Sequence, residues 1–337
     1  MSSSTGPAGQ QPPLKPPYPP STASLGGQPT RLPDIPVSAV LLAFFVGSAA
    51  THLTIFLRNK RKAANGVPHA GFFFSFLCFI FSMTRIAALS LRIAWTEHPT
   101  NANVALAATV MTAAGVLILF IVNLVLTRRV VRGLHPALGW HPAVTNGFKV
   151  LLATVIGMLI MVVICSVHSV FTLDVGARTK ERQVTLFASV YLTVMAVTPA
   201  VVAPLAYLIP NRGARHPAEG FGKGSMGGKV ALLTCASLLL ALGAGFRAGT
   251  NFAAKPIGQE QWYHSKPAFY CFNFVVEILV VYSYAIFRFD RRFRVPDGSA
   301  APGHYSNGGP EVEEGEEVAH ELRNKGTSSG DDSSRVV

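Results

Sequence analysis

Charged residues are scarce in this sequence of 337 residues: they make up 14% of it, while half of the residues are hydrophobic. Typical soluble domains carry about 25% charged residues. Glu277 is the only acidic residue within the long apolar runs. So few charges exclude an ordinary soluble domain and indicate a polytopic membrane protein.

Cysteine and histidine are also too sparse for several kinds of site. The four cysteines, Cys78, Cys165, Cys235 and Cys271, all fall in apolar runs, which excludes a disulfide framework in the loops. Those runs contain two histidines and no paired-histidine motif, so a metal-dependent hydrolase is not expected. The seventh run has no lysine that could carry retinal. We therefore expect no metal, no cofactor and no enzymatic activity.

Seven apolar runs are long enough to cross a bilayer, which takes about 20 helical residues. They cover residues 36–58, 70–94, 103–126, 147–171, 183–209, 229–252 and 268–288. Strands of a membrane barrel are only about 10 residues long. The sequence therefore predicts an all-α fold with a seven-helix transmembrane domain over residues 36–294.

The two ends of the chain differ in composition from this domain. Residues 1–35 contain nine prolines and no apolar core of the kind found in a cleavable signal peptide, so we expect a disordered tail and insertion directed by the first span. Residues 295–337 have a net charge of −6 from nine acids and three bases. We expect a second disordered tail there, which is either only solvated or binds a cytosolic protein.

Lysine and arginine are distributed unequally between the two sides of the predicted bundle. Fifteen flank the spans on the side of the first loop and the C-terminus, against seven on the side of the N-terminus. The positive-inside rule thus predicts an external N-terminus and a cytoplasmic C-terminus. Because orientation accounts for the basic residues, we expect no nucleic-acid partner. A plasma-membrane or endomembrane location fits equally well.

Polar side chains inside the spans predict a site at one depth, which we call the midplane cluster: Arg85, Arg247, Asn251, Asn273 and Glu277. Arg85 and Glu277 each lie nine residues from the outer end of their span, or about 13 Å at 1.5 Å per residue. Buried charges are costly unless they are paired. We therefore predict that Glu277 bridges one or both arginines, either as a structural clasp or as a site for an anionic or amphiphilic ligand.

Three histidines are secondary candidates for this site: His52 and His168 inside spans, and His264 just before the seventh. A lone histidine among helices more often serves in hydrogen-bonded packing. The sixth span also has Ala241, Gly245 and Gly249 at four-residue spacing, which predicts a smooth face for close helix contact.

The segment from His264 to Asn273, which enters the last span with Arg247 in the span before it, resembles the fungal RTA-like lipid-translocating exporter family. It also resembles uncharacterised fungal seven-span membrane proteins of the same layout. Ser265 stands where the exporter family usually has Glu, Asn273 stands where it has Asp, and no Glu follows Arg247 in its helix. The resemblance implies a fungal membrane protein that handles lipids or amphiphiles.

Two functions remain open from the sequence. The first is lipid or amphiphile handling through the midplane cluster, with membrane lipids as partners. The second is a seven-transmembrane receptor-like signalling protein, which the external N-terminus and the acidic, serine-containing tail favour. The sequence lacks the Asp-Arg-Tyr and Asn-Pro-x-x-Tyr motifs that common receptors carry.

Overall fold

The structure is a computed structural model that describes residues 16–18, 22–64, 72–211, 216–296 and 298–306. The rest of the two predicted tails, including most of the acidic segment, lies outside the described residues. The described part is helical and contains no β-strand; an isolated bridge joins Thr22 and Pro256. Seven helical segments are long and apolar enough to cross a membrane, which confirms the predicted all-α, seven-span architecture.

The helices follow one another along the chain with short connections. Their bounds are α1 Arg31–Ala64, α2 Phe72–Glu97, α3 Ala102–Ala114, α4 Leu117–Leu134, α5 Pro136–Gly139, α6 Pro142–Phe171, α7 Val175–Leu208, α8 Met226–Phe252, α9 Lys266–Tyr270, α10 Val276–Ile286 and α11 Phe289–Arg292. Since the described residues form an odd number of spans, the first span begins and the seventh span ends at opposite ends of the bundle. We call these the N-terminal side and the C-terminal side.

Two spans are composite rather than single helices. The third span consists of α3 and α4, which meet around Gly115. The seventh consists of α9, a π-helical turn at Cys271–Val275 and α10. π-Helical turns inside α-helices are rare and occur frequently at functional sites. Both interruptions lie next to the midplane cluster.

Helix α7 is longer than predicted. It begins at Val175, eight residues before the predicted start, because Asp174 caps its first turn by accepting hydrogen bonds from the backbone N–H groups of Gly176 and Ala177. The helix also continues through Pro199 and Pro204. The polar first turns therefore extend the apolar span beyond the length that hydropathy alone indicates.

The buried core lies between α1, α2, α4, α8 and α10, and it leaves α6 at the edge of the bundle. Only 6% of the most apolar window of α6 is buried, against 50% for α8 and for the seventh span. An apolar helix this exposed needs lipid around it. The low burial of α6 is thus consistent with a membrane-embedded bundle.

The described chain next to the first and last spans packs on the bundle at both ends. On the N-terminal side, Ala23 N–H donates to the Lys255 carbonyl at 2.8 Å and Gly26 N–H donates to the His264 carbonyl at 3.0 Å. On the C-terminal side, Val295 and Tyr305 are buried. Residues 22–30 and 298–306 therefore contact the bundle, although both stretches lie within the predicted tails.

Candidate functional site

Arg85 of α2 and Glu277 of α10 form a buried ion pair, as the sequence predicts. Arg85 Nη2 donates to Glu277 Oε1 at 2.7 Å, and Arg85 Nε lies 2.6 Å from Oε2. The two side chains are 0% and 1% exposed. A carboxylate and a guanidinium that meet through two pairs of atoms compensate much of the cost of removing both charges from water.

Three further groups surround the Arg85 guanidinium. Its Nη1 donates to the Thr112 carbonyl at 2.6 Å, near the C-terminal end of α3. Its Cζ lies 5.4 Å from the ring centroid of Phe81 and 5.6 Å from that of Phe274, within the range of cation–π attraction. The position of Arg85 is therefore fixed by several contacts from three spans.

Gly115, at the junction of α3 and α4, makes room for Arg85. A Cβ atom at Gly115 would lie 2.6 Å from Thr84 Oγ1 and 3.1 Å from Arg85 Cζ. Only a residue without a side chain allows this close approach of the third span to the guanidinium. The interruption of the third span thus belongs to the geometry of the site.

Arg247 of α8 is the second cation of the cluster, and it is bound more loosely. Its Nη1 lies 4.0 Å from Glu277 Oε1 and donates to Asn273 Oδ1 at 3.1 Å. Its side chain is 20% exposed, whereas those of Arg85 and Glu277 are closed off. Two arginines share one carboxylate, so the cluster carries a formal charge of +1.

Asn273 links Arg247 to the π-helical turn. Its side-chain Nδ2 donates to the backbone carbonyl of Phe269 at 2.9 Å, so that its Oδ1 faces the guanidinium of Arg247. Both ends of the amide are satisfied while Asn273 itself is buried. The turn therefore holds the amide in the orientation that accepts from an arginine.

A small cavity of about 100 Å³ adjoins Arg247 between α3, α4, α6, α7 and α8. Arg247 and Asn251 are on its wall together with apolar side chains such as Leu117, Phe120 and Leu159. The side chain of Asn251 makes no hydrogen bond within the described part of the chain, contrary to the prediction that it completes the network around Glu277. Its amide is exposed at the cavity instead.

The three secondary histidines lie apart from the midplane cluster and from one another. His52 is buried and its Nε2 contacts the Val281 carbonyl at 3.0 Å. His168 pairs with Glu181 on the N-terminal side. His264 Nδ1 accepts from the backbone N–H of Gln261 at 3.2 Å. No group of three His, Cys, Asp or Glu side chains that could hold a metal ion occurs among the described residues.

A second buried cluster, at Asp34, was missed by the sequence interpretation. Asp34 Oδ1 accepts from Arg92 Nη2 at 2.9 Å and from the hydroxyl of Tyr270 at 2.7 Å, while Oδ2 lies 2.5 Å from Lys266 Nζ. We call Asp34, Arg92, Lys266 and Tyr270 the Asp34 cluster. Like the midplane cluster, it places one carboxylate between two cations.

The position of Asp34 explains why it was missed. It lies within residues 1–35, which were assigned to a tail because of their prolines, whereas α1 begins at Arg31. Arg92 is buried, and its Nη2 also donates to the Gly26 carbonyl at 2.8 Å. The seven-residue spacing of Arg85 and Arg92 in the sequence could have indicated this cluster. It places both arginines on nearly the same face of α2, where each would need a carboxylate partner.

Comparison with known proteins adds one short match. Residues 225–294 are similar to a family model described as "Protein of unknown function (DUF3112)". The matched stretch runs from the start of α8 to just beyond α11, and it contains Arg247, Asn251, Asn273 and Glu277 but not Arg85. No curated protein and no solved structure gives a match.

Proposed function

We propose that this protein binds an anionic amphiphile between its helices, with Arg247 as the contact for the anionic head, and that it handles lipids or amphiphiles in the plasma membrane or an endomembrane. The proposed role is non-catalytic. The proposal rests on one observation: Arg85 and Arg247 share the carboxylate of Glu277 unequally. Its carboxylate contacts Arg85 through both oxygens, which leaves Arg247 at 4.0 Å with a neutral amide as its hydrogen-bond partner.

A cation without a close carboxylate is costly inside a membrane bundle unless an anion is available to it. A carboxylate or phosphate group at Arg247 would bring the formal charge of the cluster from +1 to zero or below. Arginine suits this role because its planar guanidinium can donate two parallel hydrogen bonds to either group. The charge balance therefore favours an anionic ligand over a cationic one.

The cavity beside Arg247 has the polarity that an amphiphile requires. Its wall combines the amide of Asn251 and the hydroxyls of Thr185 and Ser189 with apolar side chains from α4 and α6. A volume of about 100 Å³ accommodates a head group rather than a whole lipid. An acyl chain would leave between the helices toward α6, which is the least buried span.

Native mass spectrometry of the full chain, purified in mild detergent with its bound lipids identified, tests this proposal. Arg247→Gln removes the proposed head-group contact while retaining a polar side chain. Arg31→Gln is the matched control, because Arg31 forms an exposed ion pair with Glu97 outside the bundle core. We expect wild type and Arg31→Gln to retain the same anionic amphiphile and Arg247→Gln to lose it.

Two results would contradict the proposal. One is an identical set of bound lipids in all three proteins. The other is a set that contains only zwitterionic or neutral lipids in wild type. In either case Arg247 would serve as a structural partner of Asn273 and Glu277.

A further inference from the structure

The segment after the last helix packs on the C-terminal side of the bundle, where the side chain of Tyr305 is buried. Tyr305 is 5% exposed. Its ring packs edge-on against Trp140, at 5.6 Å between centroids, and against Phe221, at 5.4 Å. Arg132 stacks on Trp140, with its Cζ 3.7 Å from the ring centroid. Two aromatic rings and an arginine thus enclose a tyrosine that lies more than ten residues beyond the last helix.

A buried carboxylate fixes the backbone of the same segment. The two oxygens of Glu219 accept from the N–H of Gly303 at 2.7 Å and from the N–H of Tyr305 at 2.9 Å. The N–H of Glu219 donates in turn to the Gly133 carbonyl at 2.7 Å, which ties the connection between α7 and α8 to the end of α4. Glu219 therefore binds two alternate N–H groups of a turn, Gly303 and Tyr305, through both of its carboxylate oxygens.

Gly303 sets the backbone conformation that this arrangement needs. Its φ is +96°, in the region that favours glycine, and no atom lies within 4 Å of the place where a Cβ would be. Within this part of the chain, Ser299 Oγ donates to the Pro296 carbonyl at 2.7 Å and Ser306 Oγ donates to the Gly303 carbonyl at 3.1 Å. Glu219 and the contacts of the Tyr305 ring hold this turn against the bundle.

The charge around the tyrosine is strongly positive. Burial raises the pKa of Tyr305, although the nearby Arg129 and Arg132 act to lower it, so the phenol remains protonated at neutral pH. In the sequence, Tyr305 is followed within sixteen residues by six glutamates: Glu311, Glu313, Glu314, Glu316, Glu317 and Glu321. A tyrosine with acidic residues after it is therefore complementary to this surface.

We propose that Arg132, Trp140, Glu219 and Phe221 form a peptide-recognition pocket, here called the Tyr305 pocket, which binds an acidic peptide with a Gly-x-Tyr sequence. In this chain the segment from Gly303 to Tyr305 occupies the pocket. A partner protein with an acidic Gly-x-Tyr segment competes with residues 303–305 for the Tyr305 pocket. The chain's own segment therefore limits access of the partner to the pocket. This inference is independent of ligand binding at Arg247.

The test uses the full chain and a fluorescein-labelled peptide with the sequence of residues 298–317. Gly303→Ala should release the chain's own segment through backbone strain alone, because the new methyl group meets no neighbouring atom. Tyr305→Ala should release it by removing the ring. We expect both variants to bind the peptide at least tenfold more tightly than wild type in fluorescence anisotropy.

Matched control variants distinguish release of the chain's own segment from the Tyr305 pocket from a general loss of protein stability. Gly258 has a φ of +91° and no neighbouring atom at the Cβ position, and it lies on the N-terminal side of the bundle. Gly258→Ala should therefore leave peptide binding as weak as in wild type. Adding Glu219→Gln to Gly303→Ala should weaken peptide binding at least tenfold, since the amide no longer offers two acceptor oxygens.

Hydrogen exchange supplies a second readout that does not depend on added peptide. In wild type, the N–H groups of Gly303 and Tyr305 should exchange slowly, and Glu219→Gln should accelerate both at least tenfold. The proposal is overturned if neither Gly303→Ala nor Tyr305→Ala binds the peptide saturably. It is also overturned if wild type binds the peptide as tightly as these variants do.

Discussion

Glu277 contacts Arg85 through both carboxylate oxygens, at 2.7 and 2.6 Å, and neither side chain is more than 1% exposed. The pair joins α2 to the seventh span in the middle of the bundle. Arg247 lies farther away, at 4.0 Å from the same carboxylate. The cluster therefore combines a tight structural contact with a second cation that reaches a cavity, and these two roles can be separated by mutation.

Glu277→Gln should destabilise the protein strongly, because it leaves two arginines without a counter-charge among the helices. Loss of one partner of a buried ion pair typically costs about 3–5 kcal/mol. The double variant Arg85→Met with Glu277→Gln should be more stable than Glu277→Gln alone. Thermal unfolding in detergent, monitored by circular dichroism, measures both effects. A double variant less stable than either single variant would show that Arg85 contributes mainly through Thr112 and its aromatic neighbours.

The sequence predicts the midplane ion pair correctly because both residues lie in long apolar runs, where depth follows from a constant rise per residue. Counting residues from the ends of the spans brings Arg85 and Glu277 to one level without any knowledge of helix packing. The same count does not give the direction of a side chain. Asn251, four residues after Arg247, therefore remained a predicted network member, although it faces the cavity.

Interruptions of helices were harder to predict than their presence. The junction at Gly115 and the π-helical turn at Cys271–Val275 contact residues far away in the chain, Arg85 and Arg247 respectively. A hydropathy window averages over such positions. The Asp34 cluster was missed for a related reason, since its proline-rich surroundings are typical of a tail whether or not the segment packs on the bundle.

Arg92→Lys should not behave as a conservative substitution. Arg92 donates to Asp34 through Nε and Nη2, donates to the Gly26 carbonyl, and stacks 4.2 Å from the ring centroid of Phe269. A lysine ammonium cannot reproduce the planar fork or the stacking. We expect a loss of about 2 kcal/mol, from hydrogen bonds to a charged group.

Hydrogen exchange distinguishes this effect from a uniform loss of stability. Because Arg92 contacts the Gly26 carbonyl, Arg92→Lys should accelerate exchange at residues 22–30 more than at α8. Equal acceleration in both regions would contradict a specific role of Arg92 in holding the N-terminal segment.

Asp290 should make stability depend on pH. Burial acts to raise the pKa of Asp290, but hydrogen bonds from Arg288 and Asn59, at 2.8–2.9 Å, outweigh it and hold the pKa below its usual value. A carboxyl group whose pKa is lower in the folded state stabilises the fold at neutral pH, and this contribution is lost as pH falls through the folded pKa.

Asp290→Asn should therefore lower the melting temperature at pH 7. Its effect should begin to shrink below about pH 4, where the carboxyl group of the unfolded chain becomes protonated, and should vanish as pH falls through the lower pKa of the folded state. The loss at pH 7 should be about 1–3 kcal/mol, as expected for a disrupted buried hydrogen-bond network. Melting curves of both proteins between pH 3 and pH 7 provide the measurement. A difference that stays constant over this range would exclude the titration of Asp290 as its cause.

Gly243 marks the close contact between α8 and the seventh span, whereas Gly245 of the predicted stripe faces Thr193 of α7. A Cβ at Gly243 would lie 2.7 Å from the backbone carbonyl oxygen of Phe272, whereas one at Gly249 would meet no atom within 4 Å. The contact is made at the π-helical turn, which spacing within α8 alone does not reveal.

Gly243→Ala and Gly249→Ala form a matched pair in the same helix. Alanine is favoured over glycine in a helix by about 1 kcal/mol, so Gly249→Ala should raise the melting temperature slightly. Gly243→Ala gains the same propensity but must push α8 away from a rigid backbone oxygen, so it should lower the melting temperature and disturb the bond between Arg247 and Asn273. If the two variants were equally stable, the close approach of α8 at Phe272 would not contribute to the packing of the site.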